Sequence, residues 1–151
     1  MKKYCWMLGF LGISGSSVAM NCYFTALKDS CWLNYDVTIQ LISGENGATV
    51  TYLTIPKGKS WARTKISCSN GDGFSLSATF NPPIWEKDKG RVFKGNAILR
   101  VPDKLPQGYV SWDVRSTYPN NFARIPMPAS ITGACRVDWS QVPEVQLKAG
   151  S

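Results

Sequence analysis

From Tyr35 onward the chain is patterned in twos. Val37, Ile39 and Leu41 alternate with Thr38 and Gln40, and Phe74, Leu76, Ala78 and Phe80 alternate with Ser75, Ser77 and Thr79. Successive side chains of an extended strand point to opposite faces, so each run predicts a strand with one face buried. Between these runs lie turn-forming clusters at Ser43 to Gly47, Pro56 to Lys59 and Ser69 to Gly73. They bound a hairpin partner from Ala48 to Ile55 and a third strand from Ser60 to Cys68. Three further extended segments follow: Arg91 to Val101 with Gly95 as a candidate bulge, Tyr109 to Arg115 with Val110, Trp112 and Val114 inward, and Ala129 to Trp139. Seven segments at this spacing, with no stretch of helical periodicity, predict an all-β chain. The expected form is an antiparallel β-sandwich, immunoglobulin-like in architecture. The polar, irregular stretch from Cys22 to Asn34 reads as a pinned loop, a short hairpin or a single helical turn.

The start of the chain is different. Met1-Lys2-Lys3 precedes an apolar run from Tyr4 to Ile13, then Ser14-Gly15-Ser16-Ser17-Val18-Ala19. A basic start, a short apolar stretch and a small-x-small site form a signal peptide over 1–19, leaving 20–151 as one domain. The apolar run is too short to span a bilayer, for which about 20 residues are needed. Asn21 directly before Cys22 argues against lipidation of that cysteine. Export removes Lys2 and Lys3, so the formal charge falls from +7 to +5. The remaining cations are scattered, which predicts no nucleic-acid partner.

Export also removes Cys5. Cys22, Cys31, Cys68 and Cys135 remain, an even set that reads as two disulfides with three possible connectivities. The preferred pairing is Cys22 with Cys31, closing a local loop, and Cys68 with Cys135, joining two strands. A metal role would need CxxC-like spacing or histidine, and the sequence contains no histidine. The same absence removes the commonest general base and any Ser-His or Cys-His pair. Carboxylates remain, with Glu86 and Asp88 beside Trp85, but Lys87, Lys89 and Arg91 interleave with them and favour a solvated loop. A non-enzyme with no cofactor is expected.

Binding residues are then sought in loops, where recognition concentrates. Trp85 lies in one long loop. Tyr118, Phe122 and Arg124 lie in a second, from Ser116 to Pro128, stiffened by Pro119, Pro126 and Pro128.

The segments Asn21-Cys22-Tyr23-Phe24, Asp29-Ser30-Cys31-Trp32 and Asn34-Tyr35-Asp36-Val37-Thr38 resemble the small secreted envelope proteins of intracellular gammaproteobacteria. They also resemble accessory subunits of the outer-membrane core complex of the Dot/Icm type IVB secretion system. The resemblance implies a periplasmic or outer-membrane location and envelope proteins as partners in a multi-subunit assembly. The competing expectation is a soluble secreted or periplasmic module that grips a glycan or a protein through the Trp85 and Tyr118 loops.

Overall fold

The computed structural model describes residues 19–128 and 133–150. The expected signal peptide, except Ala19, and Ala129 to Thr132 of the expected last strand lie outside the described residues. Within them the chain forms β1 (Met20–Lys28), β2 (Asp36–Ser43), β3 (Thr49–Ile55), β4 (Trp61–Cys68), β5 (Gly73–Asn81), β6 (Phe93–Lys94), β7 (Leu99–Arg100) and β8 (Asp113–Tyr118). Two sheets face each other. One has the order β4-β1-β8; the other has the order β3-β2-β5-β6, with β7 pairing farther along β5.

The alternating runs behave as their periodicity predicts. Val37, Ile39 and Leu41 of β2 and Phe74, Leu76 and Ala78 of β5 are buried between the sheets, and Thr38, Gln40, Ser75 and Thr79 face outward or stand at the boundary. The β2/β5 register pairs Val37 with Phe80, Ile39 with Ala78 and Leu41 with Leu76. A one-residue slip would turn every one of these side chains to water, so burial of one face fixes the register.

The stretch from Cys22 to Asn34, expected as a pinned loop, a short hairpin or a single helical turn, divides: up to Lys28 it is the central strand of the smaller sheet, and Ser30–Trp32 forms a single 3-10 turn. β1 pairs antiparallel with β4, from Met20↔Cys68 to Leu27↔Trp61, and parallel with β8, from Tyr23↔Asp113 to Lys28↔Tyr118. Every residue from Phe24 to Lys28 is buried. Phe24 and Ala26 belong to the main core, whereas Leu27, also buried, lines a pocket with Arg136, Asp138 and Gln141. A strand covered on both faces carries no polar alternation, and this is why its sequence reads as irregular.

Three later expectations also change. The segment Arg91 to Val101 is not one strand but the two short strands β6 and β7. The segment Tyr109 to Arg115 reads as a strand with Val110 inward, but β8 begins at Asp113 and Val110 is 55% exposed. The Val110 backbone N–H donates to Leu147 O at 2.8 Å, as the C-terminal chain runs alongside. From Gly133 to Trp139 no strand forms among the described residues. Gly95 is a point of close approach: its N–H donates to Leu76 O at 2.7 Å, and a Cβ there would lie 2.8 Å from Leu76 Cβ.

The disulfides are Cys22–Cys68 and Cys31–Cys135, which corrects the expected pairing. The first lies between neighbouring strands β1 and β4, with Cα atoms 5.8 Å apart and both residues buried. The second has Cα atoms 5.3 Å apart and ties the C-terminal segment to the 3-10 turn Ser30–Trp32. The expected local loop cannot close because β1 extends between Cys22 and Cys31, separating them by about 20 Å of strand.

Candidate functional site

Of the four expected binding residues, the structure leaves two on the surface. Tyr118 is fully buried at the end of β8 and Phe122 is buried beside it, their rings 5.5 Å apart. This corrects the expectation of a Tyr118 loop that presents its aromatics to a ligand. Tyr118 packs edge-on against Trp32 at 4.9 Å, and Trp32 in turn meets Phe80 at 4.9 Å and Tyr35 at 4.8 Å. These rings fill one end of the core, a placement that gains more from burial than from exposure. Burial pushes the Tyr118 phenol far above its usual range. Arg124 is exposed, with φ of 59°.

Trp85 meets the expectation of exposure, at 59%. Its loop leaves β5 at Asn81, passes Pro82 and Pro83, and makes a 3-10 turn over Glu86–Asp88. Asp88 is buried beneath the turn, and Arg91 donates to its Oδ1 at 3.2 Å. Arg91 also lies over the ring of the buried Phe93, 5.2 Å from its centroid. Thus Asp88 and Arg91 brace the turn from within, while Glu86, Lys87, Lys89 and Val92 remain exposed. The two carboxylates are not aimed at a common point: one holds the loop and the other faces solvent.

Beside this loop lies a groove of about 630 Å³ on the outer face of the larger sheet, lined by Asp36, Thr38, Thr54, Thr79, Asn81 and Lys89 among others. The β3/β2 and β2/β5 registers set Thr54, Thr38 and Thr79 directly abreast. The next row along is Tyr52, Gln40 and Ser77. Thr38 and Thr54 hydroxyls are 2.9 Å apart, Ser77 Oγ donates to Gln40 Oε1 at 2.8 Å, and Gln40 Nε2 donates to Thr49 Oγ1 at 2.7 Å. Cross-strand bonds of this kind fix the polar side chains in rows. Tyr52 stands at the margin, 64% exposed. Neither this face nor Tyr52 was singled out from the sequence. The clue available there was the outward phase of Thr38, Gln40, Ser77 and Thr79, which by itself describes any solvated strand.

The outer face of the smaller sheet is occupied by the protein itself. Thr25 Oγ1 donates to Asp113 Oδ1 at 2.6 Å, Arg63 Nε donates to Thr25 Oγ1 at 2.8 Å, and Arg115 Nε donates to Asp113 Oδ2 at 3.0 Å. Arg115 also lies over Trp139, 4.9 Å from its centroid. The sulfurs of Cys31 and Cys135 and a carboxylate oxygen of Asp29 lie within 4.8 Å of one another, but both sulfurs are committed to the disulfide.

Comparisons of the chain with protein-family models, with curated proteins and with solved structures found no match. Among the described residues, no helix is long and apolar enough to cross a membrane.

Proposed function

We propose that the chain is a non-catalytic accessory subunit of a protein assembly at the periplasmic face of the outer membrane, docking through the Trp85 loop. The observation that carries this reading is Trp85 itself, a large apolar side chain 59% exposed on a loop whose turn is braced from within by the Asp88–Arg91 ion pair. Val92, on the same loop, is also exposed. Aromatic anchors of this kind dominate protein interfaces, where truncating one typically costs about 2 kcal/mol or more. Two disulfides fit an oxidising, exported environment. The signal-like start and the type IVB resemblance supply the envelope and the kind of assembly.

Gentle detergent extraction from the native envelope tests the proposal. The wild-type protein is expected to co-purify with outer-membrane or secretion-machine proteins, and Trp85→Ala to lose them at an unchanged melting temperature. Free monomer confined to the periplasmic fraction would overturn it.

A second reading, a glycan-binding module, is favoured by the hydroxyl rows beside Tyr52. Thr, Ser and Gln offer both donors and acceptors, as sugar hydroxyls require, and an exposed ring can stack on a sugar face. Sedimentation with purified sacculi, lost in Thr54→Val/Thr79→Val and retained in Trp85→Ala, is the result this reading expects. Absence of sedimentation removes it.

A further inference from the structure

The two disulfides differ in their surroundings. Cys22 and Cys68 are buried inside the sandwich. Cys31 and Cys135 are half-exposed at its end, and the Asp29 carboxyl stands within 4.8 Å of both sulfurs. No carboxylate joins Cys22 and Cys68 in such a cluster among the described residues. Asp29 is itself buried, and its Oδ1 accepts from Cys31 N–H at 3.0 Å, which holds the carboxyl against the turn that carries Cys31. Burial raises the pKa of this carboxyl, so it is a better proton acceptor than a surface aspartate.

The chain around the half-exposed pair has contacts of its own. Ser30 N–H donates to Arg136 O at 2.9 Å, Arg136 N–H donates to Ser30 Oγ at 3.0 Å, and Val142 is buried farther along. These contacts can hold the two cysteines near each other before a covalent bond exists. The Cys22–Cys68 bond has no such access to an external reagent once the sheets have closed over it.

We propose that Cys31–Cys135 is a latch formed on the already folded domain by thiol–disulfide exchange, with Asp29 as the proton-transfer group and a small or protein-borne disulfide as the oxidant. The Cys135 thiol gives its proton to solvent and its thiolate attacks the oxidant's disulfide, giving a mixed disulfide and one leaving thiolate, which takes a proton from solvent. Asp29 then takes the proton of the Cys31 thiol, whose sulfur attacks Cys135 Sγ and expels the second thiolate. That thiolate takes the proton back from Asp29. Two protein thiols are oxidised and one external disulfide is reduced to two thiols. Reduction by an external dithiol follows the same path in reverse.

The Tyr118 phenol on β8 feels the charge of Asp29, Lys28 precedes Asp29 at the end of β1, and Arg136 on the C-terminal segment is bonded through its backbone to Ser30. All are retained in Asp29→Asn, so a comparison with that variant cancels their effects. Asparagine also keeps an oxygen that can accept the Cys31 N–H, preserving the turn.

The test is reduction of the folded protein by dithiothreitol, followed by quenching, alkylation and peptide mass spectrometry. The expected first product has alkylated Cys31 and Cys135 with Cys22–Cys68 intact. The partly reduced protein is then reoxidised with glutathione disulfide. At pH 7 an ordinary thiol is about 3% thiolate, so relieving that limit can gain up to about 30-fold. Asp29→Asn is expected to close the latch about 10-fold more slowly than wild type at pH 7, with the difference vanishing above the thiol pKa. Simultaneous opening of both bonds, at the rate of global unfolding, overturns the latch without reference to any variant. Equal closure rates in wild type and a folded Asp29→Asn overturn the role of Asp29.

Discussion

Replacing Cys31 and Cys135 together by serine removes the bond that spans 104 residues of sequence. The remaining bridge shortens the loop it closes. From Cys31 back to Cys22, across to Cys68 and on to Cys135 is about 76 residues, for which the chain-entropy relation gives about 4.5 kcal/mol at 25 °C. The folded state changes less, because the C-terminal segment keeps its bonds to Ser30, the Arg115–Trp139 stack and the buried Val142. The expected result is therefore a loss of about 3–4 kcal/mol in urea unfolding, arising mainly in the unfolded chain. Protection of β1 amides against hydrogen exchange should fall only as far as global stability falls. A loss below about 1 kcal/mol would refute the reasoning, since it would mean that the bond closes no costly loop. Selective release of the segment beyond Cys135, with the sheets unaffected, would refute the division between folded and unfolded states.

Lys28 is 2% exposed, and its ammonium donates to the carbonyls of Tyr35 at 2.5 Å, Pro56 at 3.0 Å and Ile55 at 3.4 Å. Burial lowers its pKa from 10.5 to about 8, against the opposing pull of Asp36. The unfolded chain thus holds this proton more tightly, and Lys28 contributes a rise in stability between pH 8 and 10.5 that is absent at lower pH. The rise is at most about 3 kcal/mol, because the three carbonyls favour the ammonium. Urea midpoints across this range, compared with Lys28→Met, should show the excess slope in the wild type alone; parallel curves would contradict it. Gly95→Ala places a methyl 2.8 Å from Leu76 Cβ and 3.0 Å from Leu76 O, and should cost about 2 kcal/mol in the same assay. Among the described residues the buried Tyr118 hydroxyl has no hydrogen-bond partner, so Tyr118→Phe should be neutral or stabilising by up to about 1 kcal/mol, and a clear loss would show that the hydroxyl is satisfied.

The parts of the fold legible in the sequence were those with one wet face. β2 and β5 alternate because their outer sides meet water, and the turns between β2 and β5 carry glycine, asparagine and proline where the chain reverses. β1 was hidden by its central position. Residues such as Phe24, Thr25, Ala26 and Leu27 are all buried, and the parallel partner β8 lies about 90 residues away, beyond the reach of local pattern. The extended β1 also carries Cys22 away from Cys31, so closeness in sequence does not give the disulfide pairing. Trp85 was correctly assigned to the surface from its charged, proline-bounded loop. Tyr118 and Phe122 also lie beside proline and asparagine in sequence, but Trp32, from a distant element, packs against Tyr118, and Tyr118 against Phe122. The groove depends on lateral register between three strands, which side-chain alternation alone does not specify.

The docking role of the Trp85 loop is tested most directly inside the envelope of living cells. A photo-crosslinking benzoylphenylalanine replaces Trp85, and in a control replaces the exposed Gln107 in the turn before Gly108. The account predicts a covalent adduct with an envelope protein from position 85 and none from position 107. No adduct at 85, or equal adducts from both positions, would contradict it.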